Sequence, residues 1–301
     1  MASDMKGPLR PTLYRFKLGA FEMMNVLDSL AVRGGLADVH GGGAAPGEVA
    51  ELAKAHNIDP DRFEHPFVPV VVNTGKQVVL FDTGNGSLAR DNEALKGRVP
   101  DGHLVERLAQ AGYKPDDIDV ICITHCHPDH IGGNMSAGKE VFPKARYVVA
   151  AAEFDYWKKN EGISDARKPT QMQFTKLMAP LADKTTFIKS GDEVVPGIRA
   201  VDASGHSAGL TAFHVESAGK SLLIWADTCL HYVCAPSHPE WTIGFDDDQQ
   251  KAVATRKRIL AMTSAEKMMV TGFHMPFPSI GWIEKAGNAY RWVPATYQMN
   301  I

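Results

Sequence analysis

The segment THCHPDHIGG (124–133) places His125, His127, Asp129 and His130 within six consecutive positions. It follows DVICIT, an apolar run that is typical of a buried strand. Residues two apart at the end of a strand point the same way, so His125 and His127 can face one ion. Asp129 and His130, which follow the proline, can face a neighbouring position. Removing so many ionisable groups from water together is costly unless a cation coordinates them. The cluster therefore predicts a metal site at the end of a strand.

A metal site needs ligands from beyond this segment, and three other apolar runs end in ligand-type residues. GIRAVDASG leads to His206, SLLIWA leads to Asp227, and KMMVTGF leads to His274. An ionisable residue at the end of an apolar run does not fit the role of a hydrophobic core residue. Loops at strand ends, by contrast, commonly carry binding and catalytic residues. Imidazole and carboxylate donors suit zinc, and they also admit manganese, iron or cobalt.

The rest of the pattern alternates short strands with helices. FVPVVVNTGKQVVLFDTG is typical of two strands joined by a turn at residues 73–76. LVERLAQAGY and DDQQKAVATRKRILAMT indicate helices, and the Gly-rich segment before Phe67 contains a predicted short helix between Pro46 and His56. Bursts of strands separated by helices predict stacked layers, with sheets inside and helices outside.

The combined motifs resemble those of the metallo-β-lactamase-fold hydrolases. HxHxDH, a Gly-His-Ser turn, Ala-Asp-Thr and a last histidine after a strand carry the resemblance from Phe67 to Lys285, and GFHMPFPSIGWIEK resembles the methyl parathion hydrolase and lactonase-like branch. The resemblance implies an α/β (α+β) fold, a four-layer αββα sandwich with a dinuclear metal site at the sheet edge. It also implies one domain over residues 1–301, in which residues 1–65 form an N-terminal extension or flap that contributes to a homodimer.

The same resemblance implies a complete ligand set. The first ion would bind His125, His127 and His206, the second would bind Asp129, His130 and His274, and Asp227 would bridge them. Asp82, in the LFDTG motif, would orient a ligand histidine from outside the metal centre. The turn reads GHSAGL, where many relatives carry Thr-Pro and a second histidine, and neither difference removes a proposed ligand.

The implied reaction is the hydrolysis of a small neutral ester-like molecule by a hydroxide that bridges two divalent ions, with zinc as the first choice. Asp129 and Asp227 would be catalytic, and Asp227 would pass a proton to the leaving group. A lactone, an aryl ester and an organophosphate triester all fit this chemistry, and a β-lactam or thioester is a further alternative. The candidates for the substrate pocket are Phe154, Trp157, His231 and Phe277.

Two alternatives come from other functional classes. The turn also fits GxSxG, the nucleophile elbow of serine esterases, with Ser207, Asp227 and His274 in triad order and an HGGG-like run from His40. An elbow requires a helix after the serine, yet LTAFHVES alternates like a strand, and this alternative leaves the histidine cluster unexplained. A di-iron redox scaffold would need a fused flavin domain, which we do not expect here.

Charge and composition limit the classes of molecule that we expect this protein to bind. The 301 residues carry a formal net charge of −3, without a basic stripe or a cluster of Arg and Lys near the ligands, so we expect a small neutral substrate and neither nucleic acid nor membrane. The N terminus lacks the apolar core of a signal peptide, and no apolar run reaches the ~18 residues of a membrane span. Cys122, Cys126, Cys229 and Cys234 are expected to be reduced, which favours the cytoplasm. Cys126 should point away from the metal, because it alternates with the ligand histidines.

Overall fold

The computed structural model describes residues 5, 7, 9–159 and 162–295. The β-strands, numbered in chain order, are β1 (Leu13–Leu18), β2 (Phe21–Val26), β3 (Ser29–Gly34), β4 (Arg62–Phe67), β5 (Val70–Asn73), β6 (Val78–Phe81), β7 (Val120–Cys122), β8 (Met135–Ser136), β9 (Lys139–Glu140), β10 (Arg146–Ala150), β11 (Thr185–Ile188), β12 (Glu193–Val195), β13 (Ile198–Asp202), β14 (Thr211–Ser217), β15 (Lys220–Ala226), β16 (Met269–Gly272), β17 (Ile280–Ala286) and β18 (Ala289–Pro294). The α-helices are α1 (Leu36–His40), α2 (Glu48–Ala55), α3 (Leu88–Asp91), α4 (Leu104–Gln110), α5 (Pro128–Ile131), α6 (Ala151–Lys159), α7 (Lys168–Leu177), α8 (Cys234–Ser237) and α9 (Gln249–Ala265).

Two seven-stranded sheets form the centre of the fold. The first has the strand order β1-β2-β5-β6-β7-β10-β11, and the second runs from β12 to β18 in chain order. Strands β6, β7, β10 and β11 are parallel, as are β15 and β16, whereas the other neighbours are antiparallel. The hairpins β3–β4 and β8–β9 lie outside these two sheets.

The two sheets enclose one apolar core between them. In β7, Val120 and Cys122 belong to this inter-sheet core, which also contains Phe213 and Ile224 of the second sheet. The intervening Ile121 points to the opposite face and joins the core beneath the helices. Because β7 is covered on both faces, it appears in the sequence as a continuous apolar run.

Helices cover the outer face of each sheet. Leu108 of α4 and Phe174 of α7 pack outside the first sheet, and Ile259 and Leu260 of α9 pack outside the second. Each such side chain contributes roughly 1.5–3 kcal/mol when it leaves water. The layers therefore follow the order helix, sheet, sheet, helix, and the predicted αββα fold class is confirmed.

Most of the predicted elements are present near the expected positions. The predicted pair of strands corresponds to β5 and β6, the predicted helices correspond to α2, α4 and α9, and the N-terminal β1–β2 hairpin adds two strands to the first sheet. The segment from β3 to β4 encloses a separate apolar cluster around Leu36, Phe63 and Trp241. A helix with the length and apolar character needed to cross a membrane is absent from the described part of the chain.

Candidate metal centre

The predicted ligands lie in loops that follow four strands. The histidine cluster follows β7 and continues into α5, His206 follows β13, Asp227 follows β15 directly, and His274 follows β16. The structure brings their side chains together in three groups, and within each group the donor atoms lie within 4.8 Å of one another. The groups are His125, His127 and His206; His125, His130 and Asp227; and Asp129, His130 and His274.

Asp227 lies at the centre of this cluster. Its Oδ2 is 3.2 Å from the Nε2 atoms of both His206 and His274, and its Oδ1 is 3.4 Å from Nε2 of His130. The preceding Ala226 has a φ of 48°, a left-handed conformation that persists for a non-glycine residue only where the surrounding structure enforces it. One carboxylate thus faces histidines from both predicted half-sites.

Several donor atoms of the cluster are buried without a hydrogen-bond partner among the residues that the structure describes. They are the Nε2 atoms of His125 and His130 and the Oδ1 of Asp227. An unpaired buried polar atom costs about 1–3 kcal/mol, so these atoms need a further ligand. Imidazole nitrogens and carboxylate oxygens at this spacing are the donors that zinc and related divalent ions prefer. The residues present therefore fit divalent metal ions.

A buried carboxylate, Asp82, orients the cluster from behind. Its Oδ2 is 2.8 Å from Nδ1 of His130, and its two oxygens accept 2.8 Å hydrogen bonds from the backbone amide and the hydroxyl of Thr124. The same hydroxyl lies 3.1 Å from Nδ1 of His125. These contacts occupy the Nδ1 atoms of His125 and His130, so the Nε2 atom of each ring is available to bind a metal ion.

A second buried carboxylate, Asp246, supports His206 and was missed in the sequence. Its Oδ1 is 2.9 Å from Nδ1 of His206, and its Oδ2 accepts a 3.0 Å hydrogen bond from Nη2 of Arg256. The Nδ1 of His274 lies 2.8 Å from the carbonyl oxygen of Pro66. Asp246 opens a run of three aspartates, and the local pattern does not distinguish the one that turns inward.

Gly205 allows α9 to approach the loop of His206 closely. It has a φ of 137°, and a Cβ at this position would lie 2.4 Å from the backbone nitrogen of Ala252. The backbone amides of Asp247 and Asp248 donate 3.0 Å hydrogen bonds to the carbonyl oxygens of His206 and Gly205. The start of α9 is therefore fixed directly against this metal-binding turn.

Glu153, a fully buried residue of α6, connects the two loops of the first half-site. Its carboxylate accepts hydrogen bonds of 2.7–2.8 Å from the backbone amides of Cys126 and Gly209, the hydroxyl of Ser207 and the indole of Trp157. Cys126 lies between the first two ligand histidines, and Ser207 belongs to the Gly-His-Ser turn. The carboxylate therefore positions these two loops relative to each other, a role for which the sequence offered no signal.

Replacement of Glu153 by glutamine is expected to lower the free energy of unfolding by about 3 kcal/mol, because the amide NH2 would face donors that the carboxylate now accepts. Chemical denaturation followed by circular dichroism measures the change. Asp155→Asn, at an exposed position of the same helix, is the matched control and should shift the value by less than about 0.5 kcal/mol. An unchanged denaturation midpoint for the Glu153 variant would contradict the positioning role.

Burial and neighbouring charges have opposite effects on several pKa values in the cluster. Burial disfavours a charged His206, but the carboxylates of Asp227 and Asp246 outweigh it and raise the pKa of His206 to about 9. Burial and the adjacent His130 instead hold the pKa of His125 well below its ordinary value, which favours the neutral imidazole that binds metals. Against the effect of burial, neighbouring charges raise the pKa values of His130 and His274 and lower those of Asp129 and Asp227.

Ser207 is not placed as a nucleophile. Its buried hydroxyl donates to Glu153, and the strand β14, rather than a helix, follows its turn. His40, the first residue of the HGGG-like run, is buried at the end of α1. The structure therefore contradicts the serine esterase alternative with Ser207, Asp227 and His274 as its triad.

A cavity of about 250 Å³ faces the cluster, and we call it the metal-facing cavity. Its wall contains five of the predicted ligands, namely His127, Asp129, His206, Asp227 and His274. Apolar side chains, among them Phe67, Leu230 and Phe245, form much of the remaining wall. The site therefore combines ionisable groups at one end with an apolar enclosure.

Phe154 and Trp157 were expected in this pocket, and that prediction is wrong. Both side chains are buried in the core outside the first sheet. They lie near the motifs in the chain, but they project from the face of α6 that packs on the sheet. Trp157 still contributes indirectly, because its indole donates to Glu153.

The absence of an Arg or Lys cluster near the ligands was also a wrong expectation. Arg33, Arg98 and Arg167 contribute to the wall of the metal-facing cavity. They come from β3 and from two loops that are far from the motifs in sequence, so only the tertiary structure brings them to the ligands.

A neighbouring cavity of about 420 Å³ contains the two remaining pocket candidates, Phe277 and His231. The Nδ1 of His231 accepts hydrogen bonds from the backbone amides of Val233 and Cys234 at 3.2 and 3.1 Å. His274 contributes to the walls of both cavities. Phe277 and His231 therefore lie beside the cluster, outside the wall of the metal-facing cavity.

The cysteines take no part in the cluster. Cys126 belongs to the core outside the first sheet, so it points away from the ligands as expected, and burial raises the pKa of its thiol well above the ordinary value. All four cysteines are buried and free.

Comparisons with known proteins agree with this geometry. Residues 68–272 match the family model described as the metallo-beta-lactamase superfamily. An N-acyl homoserine lactonase from Bacillus cereus is 27% identical over 215 residues, which cover 66% of this chain and 77% of that protein. A lactonase of the same name from Bacillus sp. is 26% identical over 158 residues, which cover 49% of this chain and 57% of that protein.

Solved structures extend the similarity to nearly the whole chain. AidC, a dizinc quorum-quenching lactonase solved in complex with a product, superposes with a TM-score of 0.83 and 25% identity, covering 95% of this chain and 98% of its own. The hydrolase AbOPH superposes with a TM-score of 0.86 and 23% identity over 97% of this chain and 100% of its own. The second likeness supports the fold alone.

Proposed function

This chain belongs to the metallo-beta-lactamase superfamily and is a metal-dependent hydrolase, and we propose that it hydrolyses a neutral lactone to the open hydroxy acid. The lactonase-like branch of the resemblance is confirmed by the relatives. The observation that carries the proposal is the position of Asp227, between the histidines of both half-sites and in the wall of a small, largely apolar cavity.

The chain binds divalent metal ions, and we propose two zinc ions per chain. His125, His127 and His206 would hold the first and Asp129, His130 and His274 the second, with Asp227 shared. Bound cations of this kind polarise a substrate carbonyl and lower the pKa of a coordinated water. The dizinc relative AidC supports zinc over manganese, iron or cobalt.

The two carboxylates of the cavity wall, Asp129 and Asp227, are the proposed catalytic side chains. Among the described residues that line the metal-facing cavity, they are the ones with a carboxylate. Asp129 is 25% exposed at its side chain, and its Oδ2 lies 3.3 Å from Nε2 of His274. We assign Asp227 to proton transfer toward the leaving oxygen and Asp129 to holding the water in position, within hydrogen-bond reach of the reacting atoms.

The cavity wall favours a substrate that is small and neutral over most of its surface. A volume of about 250 Å³ lies below the ~300–1,000 Å³ of sites for larger ligands. A planar lactone carbonyl needs less room around the reacting atom than a phosphorus atom with three substituents. The geometry therefore favours the lactone over the organophosphate triester, and the lactonase relatives support the lactone over the aryl ester, the β-lactam and the thioester.

A substrate panel tests the proposal. Lactones, including an N-acyl homoserine lactone, should have a kcat/KM about 100-fold above that of a paraoxon-type triester or an aryl ester, because the small cavity leaves little room for a tetrahedral phosphorus centre and the relatives of this chain are lactonases. Metal-loaded protein is assayed by pH-stat titration, and buffer with the same zinc concentration corrects for background hydrolysis. A triester that is hydrolysed faster than every lactone would replace lactone hydrolysis as the function.

Three further predictions stay part of the proposal. The free cysteines support a reducing compartment, hence the cytoplasm. The homodimer and the role of residues 1–65 as a flap within a single domain of residues 1–301 stay predictions, which sedimentation of the full chain and of a chain without residues 1–65 would test.

A further inference from the structure

Arg33, on β3, is a cation in the wall of the metal-facing cavity whose side chain makes no hydrogen bond or ion pair within the described ranges. Two other arginines share this wall. The Nε of Arg167 lies 2.6 Å from Oδ1 of Asp247, so its charge is already paired. Arg98 is exposed, and water can satisfy its donors. Arg33 is therefore the partly buried cation whose charge is left for a ligand.

The guanidinium of Arg33 is held in place and partly dehydrated. Its Cζ lies 5.3 Å from the centroid of the Phe245 ring, which is within cation–π range. Its Nε is buried without a partner. Burial lowers the pKa of this guanidinium, while the nearby Asp129 acts in the opposite direction, and an arginine keeps its charge in proteins. A buried, charged and unpaired N–H group is costly, so an acceptor from a ligand would be strongly favoured.

We propose that Arg33 binds the carboxylate that forms when the substrate ring opens, and this inference rests on the proposed lactone hydrolysis. In that reaction the oxygen of water bonds to the carbonyl carbon and the ring C–O bond breaks. The ring oxygen takes up a proton to become an alcohol, and the new carboxylic acid releases a proton to solvent. A neutral ligand thereby becomes an anion beside an unpaired cation.

The chemistry of the guanidinium selects a carboxylate over a neutral oxygen. Its planar fork presents parallel N–H donors that match the two oxygens of a carboxylate. The carbonyl of a neutral lactone or amide accepts a weaker hydrogen bond, without the charge. The contact therefore strengthens as negative charge develops on the acyl group, which is the property of a group that assists a reaction.

Calorimetry on the zinc-loaded protein tests this proposal with 4-hydroxybutyrate and its neutral amide, 4-hydroxybutanamide, as the probes. Arg33→Met should weaken 4-hydroxybutyrate binding by about 10- to 100-fold, the loss of charge-assisted hydrogen bonds. Binding of the amide should change by less than about threefold. Arg33→Lys, which keeps the charge but lacks the fork, should give an intermediate loss for the carboxylate.

Arg62→Met is the matched control. Arg62 pairs with Gly34 on the partner strand of the same hairpin and is exposed outside the metal-facing cavity, so it tests the loss of one positive charge alone. An equal loss of carboxylate binding in this control, or wild-type carboxylate affinity in both Arg33 variants, would overturn the proposal. Thermal unfolding and zinc content confirm that each variant is folded and loaded, and Arg33→Lys decides the question if Arg33→Met does not fold.

The binding assay requires no turnover, so the two proposals fail separately. A wild-type protein that binds 4-hydroxybutyrate through Arg33 but hydrolyses no lactone would refute the proposed function and leave a carboxylate site. Lactone hydrolysis with carboxylate binding that is independent of Arg33 would refute the role of Arg33 alone.

Discussion

Replacement of Asp227 by alanine is expected to lower kcat/KM for lactones by more than about 1,000-fold, since several kcal/mol of transition-state stabilisation would be lost at about 1.4 kcal/mol for each tenfold change in rate. The physical reason is its central position, with 3.2 Å contacts to His206 and His274 and a 3.4 Å contact to His130. The measurement is steady-state kinetics after dialysis against zinc, with bound zinc determined by mass spectrometry.

Two further variants are compared with Asp227→Ala, to separate the loss of activity at the metal centre from effects of an acidic residue elsewhere. Asp155→Ala, at an exposed position of α6, should keep wild-type kinetics. Asp82→Asn should weaken zinc binding by about 10- to 100-fold, because Asp82 orients His130 without belonging to the cluster. An Asp227→Ala protein that keeps both its zinc and its activity would show that the carboxylate is dispensable and would refute the shared-ligand assignment.

The fold and the ligand cluster were largely predictable because both produce patterns among residues that are close together in the sequence. Strands that are covered on both faces, such as β7, have no polar residues to interrupt their apolar runs. The ligands then stand where those runs end, as Asp227 does immediately after β15. A strand end adjoins the core without belonging to it, so an ionisable residue there needs a partner.

The groups that support the ligands could not be predicted in this way. Glu153 and Asp246 act through contacts with residues that are distant in sequence, and each occurs in a helix or loop with other acidic residues. Helical periodicity indicates which positions are buried, but it does not reveal which loop a buried carboxylate will meet.

The substrate pocket was the least predictable part for the same reason. Trp157 is close in sequence to the histidine cluster but packs in the core, whereas Arg33 is distant in sequence but lines the cavity. A cavity wall is assembled from several loops and a hairpin, and its composition depends on their relative placement. Proximity along the chain is therefore a poor guide to pocket residues.

Removal of the bound metal is expected to abolish hydrolysis and to destabilise the protein. A ligand that binds only the folded state stabilises it by about 4 kcal/mol at 1,000 times its Kd, so exhaustive chelation should lower the Tm by about 6 °C for each ion removed. The physical reason is that the buried donor atoms of His125, His130 and Asp227 have no hydrogen-bond partner among the described residues. Differential scanning calorimetry and zinc analysis measure both effects on the same sample.

Zinc titration of the chelated protein distinguishes one ion from two. Activity should return in proportion to the second equivalent of zinc, because Asp227 contacts histidines of both half-sites and is fully engaged only when both are filled. His274→Ala is the matched variant, since it removes one ligand of the second half-site and leaves the first group intact. It should retain about one equivalent of zinc and stay inactive.

The same titration can refute the dinuclear mechanism. Full activity at one equivalent of zinc in the wild type, or in the His274 variant, would mean that the first half-site suffices and that Asp129 and His130 serve another role. Activity that survives chelation, in protein shown to contain less than about 0.1 equivalent of metal, would remove metal chemistry altogether. The spacing of the donors argues against a single-ion site, because the donor atoms of Asp129, His130 and His274 lie within the same 4.8 Å limit as those of the first half-site.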